Sequence, residues 1–208
     1  SGCSLTLAAY MVEGGVCQRY FYVKSMINEA PDVFHELMAK VTRYNTALLR
    51  AQLRAGADAV MMFESWGGIF SHQDYMEFAY PYVKETITAL KKEGKPVIYF
   101  PDKGSALLER IRDCGADVFA IDFRIRLDDA IRRLGNNVVV QGNLDPYVMM
   151  SAPQERMEAQ VRDILAMGSK QGIGVFVIAL CLVGWAEIAQ FVRGQVIALK
   201  PQPFVEGA

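Results

Sequence analysis

A parallel-sheet α/β fold of (β/α) barrel type is predicted by three observations. Within AGADAVMMFESWGG (residues 55–68), the run at 59–63 is apolar on both faces, so the strand it forms must be buried on both, as in parallel sheets covered by helices. Further apolar runs at 97–100, 118–121, 138–140 and 175–180 alternate with amphipathic segments at the spacing of successive βα units. Most runs break into polar or glycine-rich sequence, and parallel α/β folds gather their chemistry at the carboxyl ends of strands. A doubly wound open sheet is the competing architecture.

The helices follow from periodicity and punctuation. Pro31 and Asp32 open a helix whose apolar positions Val33, Phe34, Leu37, Met38, Val41, Leu48, Leu49 and Leu53 recur at helical spacing up to Gly56. Ser71 caps a helix running through Tyr82 to Leu90, where Pro81 predicts a kink or restart and Gly94 a stop. Ser105 is expected to cap a helix ending at Cys114 and Gly115. Residues 127–134 form a short helix stopped by Gly135, and a last one begins near Pro153 with Met157, Val161, Ile164 and Leu165 on one face. Glu13, Gly14 and Gly15 make a polar, flexible corner after an apolar start.

Composition narrows the class. The 208 residues suffice for one α/β domain, 1–208, and no linker-like stretch divides them. With 52% apolar residues and a formal net charge of −1, no global field recruits nucleic acid or an acidic membrane, so an anionic ligand must be met by local donors. The uncharged run from Gln171 to Ala186 is shorter than the about 20 residues of a membrane span and is interrupted by glycines. Cys3, Cys17, Cys114 and Cys181 form no CxxC pair and read as reduced, mostly buried thiols of an intracellular protein. The opening SGCSLTL has no signal-peptide pattern and suggests a chain cut from something longer.

The strand ends supply the candidate site: Glu64 and Ser65, Asp102 and Lys103, Asp122, and Gln141, Gly142 and Asn143. Singly, each such residue is more often a cap or turn former. Parallel packing brings them to one rim, which makes a pocket of them. His35 belongs on the long helix and His72 at a helix start, and Tyr20, Phe21 and Tyr22 suit a core or dimer surface, since no basic cluster accompanies them.

Three motifs in order, LAAYMVEGG (7–15), FESWGG (63–68) and GNLDP (142–146), resemble the uroporphyrinogen decarboxylase family, and the resemblance runs from the first residues to about Gly174. It implies a (β/α)8 TIM-barrel-type fold, here incomplete with about strands 3 to 8, and a cytoplasmic homodimer. The implied activity removes the four acetate carboxyls of uroporphyrinogen III to give coproporphyrinogen III in haem biosynthesis, with no cofactor or metal. Tyr10 and Ser65 match the family's active-site tyrosine and serine. Phe63 falls in the ligand-packing segment, and Asp122, Gln141 and Asn143 line the rim as substrate-binding residues. The tetrapyrrole is the expected partner, with neither nucleic acid nor membrane.

The sequence departs from the family pattern at both ends. The arginine-rich loop and the pyrrole-binding aspartate precede Ser1, and the strand expected to end in Asn-Leu-Gly-His-Gly is replaced by an apolar run at 177–184, with no histidine after His72. Residues 175–208 are therefore expected to be a divergent tail or the product of a shifted reading frame. The chain alone is expected to be marginally stable and inactive. Two alternatives stand: a relative resembling cobamide-dependent methyltransferases, whose zinc-binding His-x-Cys pair is replaced by Tyr99-Phe100-Pro101, and an inactive fragment that only binds.

Overall fold

The computed structural model describes residues 1–15, 19–135 and 138–169, and the chain falls into two compact units, Ser1–Val140 and Gln141–Ala208. Four parallel-type strands, β1 (Val60–Glu64), β2 (Val97–Pro101), β3 (Val118–Ala120) and β4 (Val139–Gln141), make one sheet in the order β1-β2-β3-β4. Val60 lies opposite Val97 and Glu64 opposite Pro101, while Tyr99 lies opposite Phe119, all in parallel register. Consecutive strands are thus neighbours, the order of a β/α barrel; a doubly wound sheet would reverse its order at a switch point. Beyond β1, Gly2 pairs with Phe63: the Cys3 N–H donates to the Phe63 carbonyl (2.7 Å) and the Phe63 N–H to the Ser1 carbonyl (2.9 Å). The run at 175–180 lies outside the described residues.

The two faces of the sheet differ, which corrects the expectation of burial on both. Val60, Met62 and Glu64 of β1, Val97, Tyr99 and Pro101 of β2, and Phe119 of β3 are all buried on one face. On the other, Phe63 is 40% exposed and Met61, Ile98 and Phe100 are half-buried. Phe63 and Phe100 meet edge to face at 6.2 Å between centroids.

Helices cover the buried face. The opening residues form α1 (Ser4–Glu13), closed by Gly14 at φ 76°, and α2 (Phe21–Glu29) follows, with the Glu13 carboxylate accepting the Val23 N–H at 3.0 Å in the first turn of α2. Neither had a clear signal, because α1 is apolar nearly all round and has no capping side chain. The long helix α3 (Pro31–Arg54) buries Phe34, Met38, Val41, Thr42, Asn45, Leu49 and Leu53. Val33 and Leu48, expected on that stripe, are exposed, since each falls one residue outside the 34-38-41-45-49 progression.

Pro81 marks a restart. α4 (His72–Phe78), capped by the Ser71 hydroxyl accepting from the Asp74 N–H at 3.0 Å, stops at Ala79, and α5 (Tyr80–Lys91) begins with Pro81 in its first turn, where no N–H is needed. The helix expected from Ser105 is broken into 3-10 turns at Gly104–Leu107 and Arg112–Cys114 around a single turn, α6 (Leu108–Ile111). α7 (Leu127–Leu134) has the predicted bounds. In the second unit, α8 (Pro146–Ser151), capped by Asp145 accepting from the Tyr147 N–H at 2.9 Å, precedes α9 (Gln154–Ser169), whose Ile164 is buried. Cys3 and Cys114 are buried free thiols, and no helix among the described residues is long and apolar enough to cross a membrane.

Candidate active site at the carboxyl end of β1

Alternation along β1 sends Phe63 to the open face and Glu64 to the buried one, and the chain then turns through Ser65, Trp66, Gly67 and Gly68. Glu64 is fully buried. Its Oε1 accepts from the Thr6 hydroxyl at 2.7 Å, and the Thr6 oxygen in turn accepts the Ser65 N–H at 2.9 Å. One hydroxyl on α1 therefore ties together the strand end and the backbone of Ser65. Burial pushes the Glu64 carboxyl up to about 7, against the lowering effect of its hydrogen bonds from Thr6 and the Trp66 backbone. Its Oε2 is buried with no hydrogen-bond partner.

The neighbours of Glu64 are uncharged. Burial raises the Cys3 thiol and the Tyr75 and Tyr99 hydroxyls well above their ordinary values, and Glu64 pushes all three the same way. Tyr75 and Tyr99 are hydrogen-bonded to each other through their hydroxyls. Gly67 lets the loop close on this cluster, since a Cβ there would lie 2.8 Å from Tyr75 Cε2 and 3.0 Å from Glu64 Cγ.

Tyr10 sits one helical turn beyond Thr6 on α1 and presents its ring edge-on to Trp66 at 6.0 Å. Tyr20 packs on the same indole at 4.6 Å. Tyr10 and Ser65 are both half-buried; α1 carries the one and, through Thr6, holds the backbone of the other two residues beyond Phe63. Across the turn, Lys103 Nζ stands 5.8 Å from the Trp66 ring centroid. The Asp122 carboxylate fixes that second turn, accepting the Lys103 N–H at 2.6 Å and the Arg124 N–H at 2.7 Å. Asp122 is buried and, with Pro101, Ser105, Leu108, Ile121 and Ile125, lines a small cleft.

Of the six residues singled out from sequence, Tyr10, Phe63, Ser65 and Asp122 fall in the first unit and are linked there through Thr6, Trp66 and Lys103. Gln141 and Asn143 fall in the second, Gln141 half-buried as the last residue of β4 and Asn143 buried. His72 is exposed at the start of α4, and His35 stacks on Phe78 at 4.7 Å with its Nδ1 2.8 Å from the Tyr82 hydroxyl. Tyr20 is core, whereas Phe21 and Tyr22 are exposed.

The family model described as Uroporphyrinogen decarboxylase (URO-D) matches residues 1–181. The chain belongs to the uroporphyrinogen decarboxylase family. It is 42% identical over 164 residues to the uroporphyrinogen decarboxylase of Geobacter sulfurreducens, covering 79% of this chain and 48% of that one. To the uroporphyrinogen decarboxylase of Carboxydothermus hydrogenoformans it is 39% identical over 176 residues, covering 85% and 50%. The chain thus spans about half the length of these relatives. Among solved structures, a methyltransferase from Methanosarcina mazei superposes with a TM-score of 0.66 at 17% identity, over 84% of this chain and 50% of that one, a likeness of fold alone. The fold is accordingly α/β, of (β/α)8 TIM-barrel type and incomplete.

Two residues of this candidate site, Thr6 and Trp66, carry no signal of their own in the sequence, and a third, Glu64, takes a different place from the one its position at a strand end suggests. Thr6 lies in an apolar stretch with nothing to mark it, but stands four residues before Tyr10 and so on the same side of α1. Trp66 is one residue of the FESWGG motif, with nothing in the sequence to set it apart. Glu64 belongs to the buried face and not to the rim, in keeping with its parity with Val60 and Met62.

Proposed function

We propose that this chain takes part in uroporphyrinogen decarboxylation, the removal of the acetate carboxyls of uroporphyrinogen III to give coproporphyrinogen III in porphyrin biosynthesis. The tying of Tyr10 and Ser65 to one place by α1, beside an exposed Phe63, carries the reading. The chemistry requires loss of CO₂ from an acetate on a pyrrole, which leaves an electron pair on the side-chain carbon; protonating the ring first provides a sink for it, and a proton delivered to that carbon, with departure of the ring proton, completes the methyl group and restores the pyrrole. Hydroxyls such as those of Ser65 and Tyr10 orient the carboxylate by hydrogen bonding. They are positioning groups.

In this reading the edge-to-face pair of Phe63 and Phe100 offers an apolar surface to the face of a pyrrole ring. Asp122 in the first unit, and Gln141 and Asn143 in the second, are substrate-binding residues, the substrate is a tetrapyrrole polycarboxylate, no cofactor or metal is used, and the intact protein is a cytoplasmic homodimer. Nothing specific favours the methyltransferase alternative, because the likeness to the Methanosarcina mazei enzyme is one of fold.

Titration with uroporphyrin, followed by the shift of its absorption band, tests the reading. The chain is expected to bind it, and Ser65→Ala and Tyr10→Phe each to weaken binding several-fold while leaving the far-ultraviolet circular dichroism unchanged. Absence of binding, or binding indifferent to both substitutions, would overturn it.

A further inference from the structure

Lys103 is held in an unusual way for a surface lysine. Its backbone is left-handed (φ 56°, ψ 18°), a conformation uncommon outside glycine, asparagine and aspartate. The Asp122 carboxylate fixes it by accepting the Lys103 N–H at 2.6 Å. The loop after β1 closes against it from the other side: a Cβ on Gly68 would lie 2.4 Å from Lys103 Cβ and 2.8 Å from the Lys103 carbonyl oxygen, so only glycine allows that approach. Two loops that leave neighbouring strands therefore clamp one lysine between them.

The clamp aims the side chain. Its ammonium stands over the Trp66 indole at 5.8 Å, within the range in which a ring face attracts a cation. Trp66 follows Ser65 directly and touches Tyr10 edge-on. The nearby carboxylates are already engaged, because Arg124 Nη1 lies 3.3 Å from Asp102 and 3.4 Å from Asp122. Among the described residues no carboxylate lies within ion-pair distance of the Lys103 ammonium, and Lys103 is exposed. An uncommitted positive charge is thus held over the indole that directly follows Ser65 and that Tyr10 touches edge-on.

We propose that Lys103 is a carboxylate-binding residue of this site, its ammonium held over Trp66 to receive one carboxylate of the ligand. The tetrapyrrole identity of that ligand rests on the function proposed above; the preference for carboxylate rests on Lys103 itself. An ammonium on an aromatic face suits an anionic side chain carried by a flat apolar ring, since the indole packs on the ring edge while the charge is neutralised.

The test compares the unmodified chain with Lys103→Met and Lys103→Arg, using three probes: uroporphyrin, its fully esterified methyl ester, and benzenehexacarboxylate. The expected result is roughly a fivefold loss of affinity for both acids in Lys103→Met, with weaker salt dependence. Lys103→Arg is expected to retain most of the affinity, and ester binding is expected to be the same in all three proteins. Equal affinity of Lys103→Met and the unmodified chain for both acids would overturn the proposal, as would a loss that extends to the ester, which would mark a structural role. If benzenehexacarboxylate binds in a Lys103-dependent way while neither porphyrin binds, the carboxylate site stands and the tetrapyrrole reading falls. Binding of no probe overturns both.

Discussion

Glu64 offers a direct measurement of how the strand end is built. The perturbation is Glu64→Gln, which removes the ionisable proton while keeping the size of the side chain and an oxygen for Thr6 to meet. In the folded chain the carboxyl titrates at about 7, against an ordinary value of 4.5, because it is fully buried. A folded-state value above the unfolded one means that the contribution to stability is complete below pH 4.5, declines as pH rises, and is gone above about 7. At about 1.4 kcal/mol per pH unit, the contribution falls by about 2.5 kcal/mol between pH 5 and pH 8.

The neighbours leave that window clear. The Cys3 thiol and the Tyr75 and Tyr99 hydroxyls are all displaced upward by burial and stay neutral through it. Surface carboxylates contribute in the opposite direction: Glu109, held down to about 2 by Arg133, has its effect at acid pH, and subtracting the variant from the unmodified chain cancels it. The assay is urea denaturation at pH 5, 6, 7 and 8, followed by circular dichroism. Relative to the unmodified chain, Glu64→Gln is expected to gain about 2.5 kcal/mol from pH 5 to pH 8. A difference that stays constant across the range would show that Glu64 is ionised and solvated when folded, and would refute the burial of this strand end.

Thr6→Val removes the hydroxyl that donates to Glu64 and accepts from the Ser65 N–H, so a loss of about 2–3 kcal/mol is expected in urea denaturation, while Thr6→Ser restores most of it. Gly68→Ala forces a Cβ to within 2.4 Å of Lys103 and is expected to lower stability by about 1–3 kcal/mol, read as a reduced thermal midpoint. Cys3 and Cys114 are buried and their thiols raised, Cys114 to about 11, so neither is expected to react with a thiol reagent at pH 8 until denaturant is added.

How much of this was legible in the sequence depends on whether a residue's partners are near it in the chain. Apolar runs and glycine stops are local, and four strands and most helices lie within a residue or two of where periodicity places them. The exceptions are local signals that tertiary packing overrode. The helix expected from Ser105 gives way to two 3-10 turns because the left-handed Lys103 and the tight Gly104, whose Cβ would lie 2.7 Å from Pro101, redirect the chain. α1 was hidden because a helix that is apolar nearly all round has no polar face to set its period.

The site was legible as a set of strand ends but not as a connected structure, and the reason lies in the two residues Phe63 and Glu64. A one-residue slip of β1 would expose the carboxyl and bury the ring, so the function proposed here depends on register as much as on residue type. That register is held from both sides, by the full parallel ladder to β2 and by the hydrogen bonds that join Phe63 to Ser1 and Cys3. Thr6 then reads the outcome, since its hydroxyl reaches Glu64 and Ser65 together only when Glu64 faces α1. Placement of Ser65 is in this way a consequence of burying Glu64, and a sequence motif that contains both residues records a packing constraint and a positioning constraint at once.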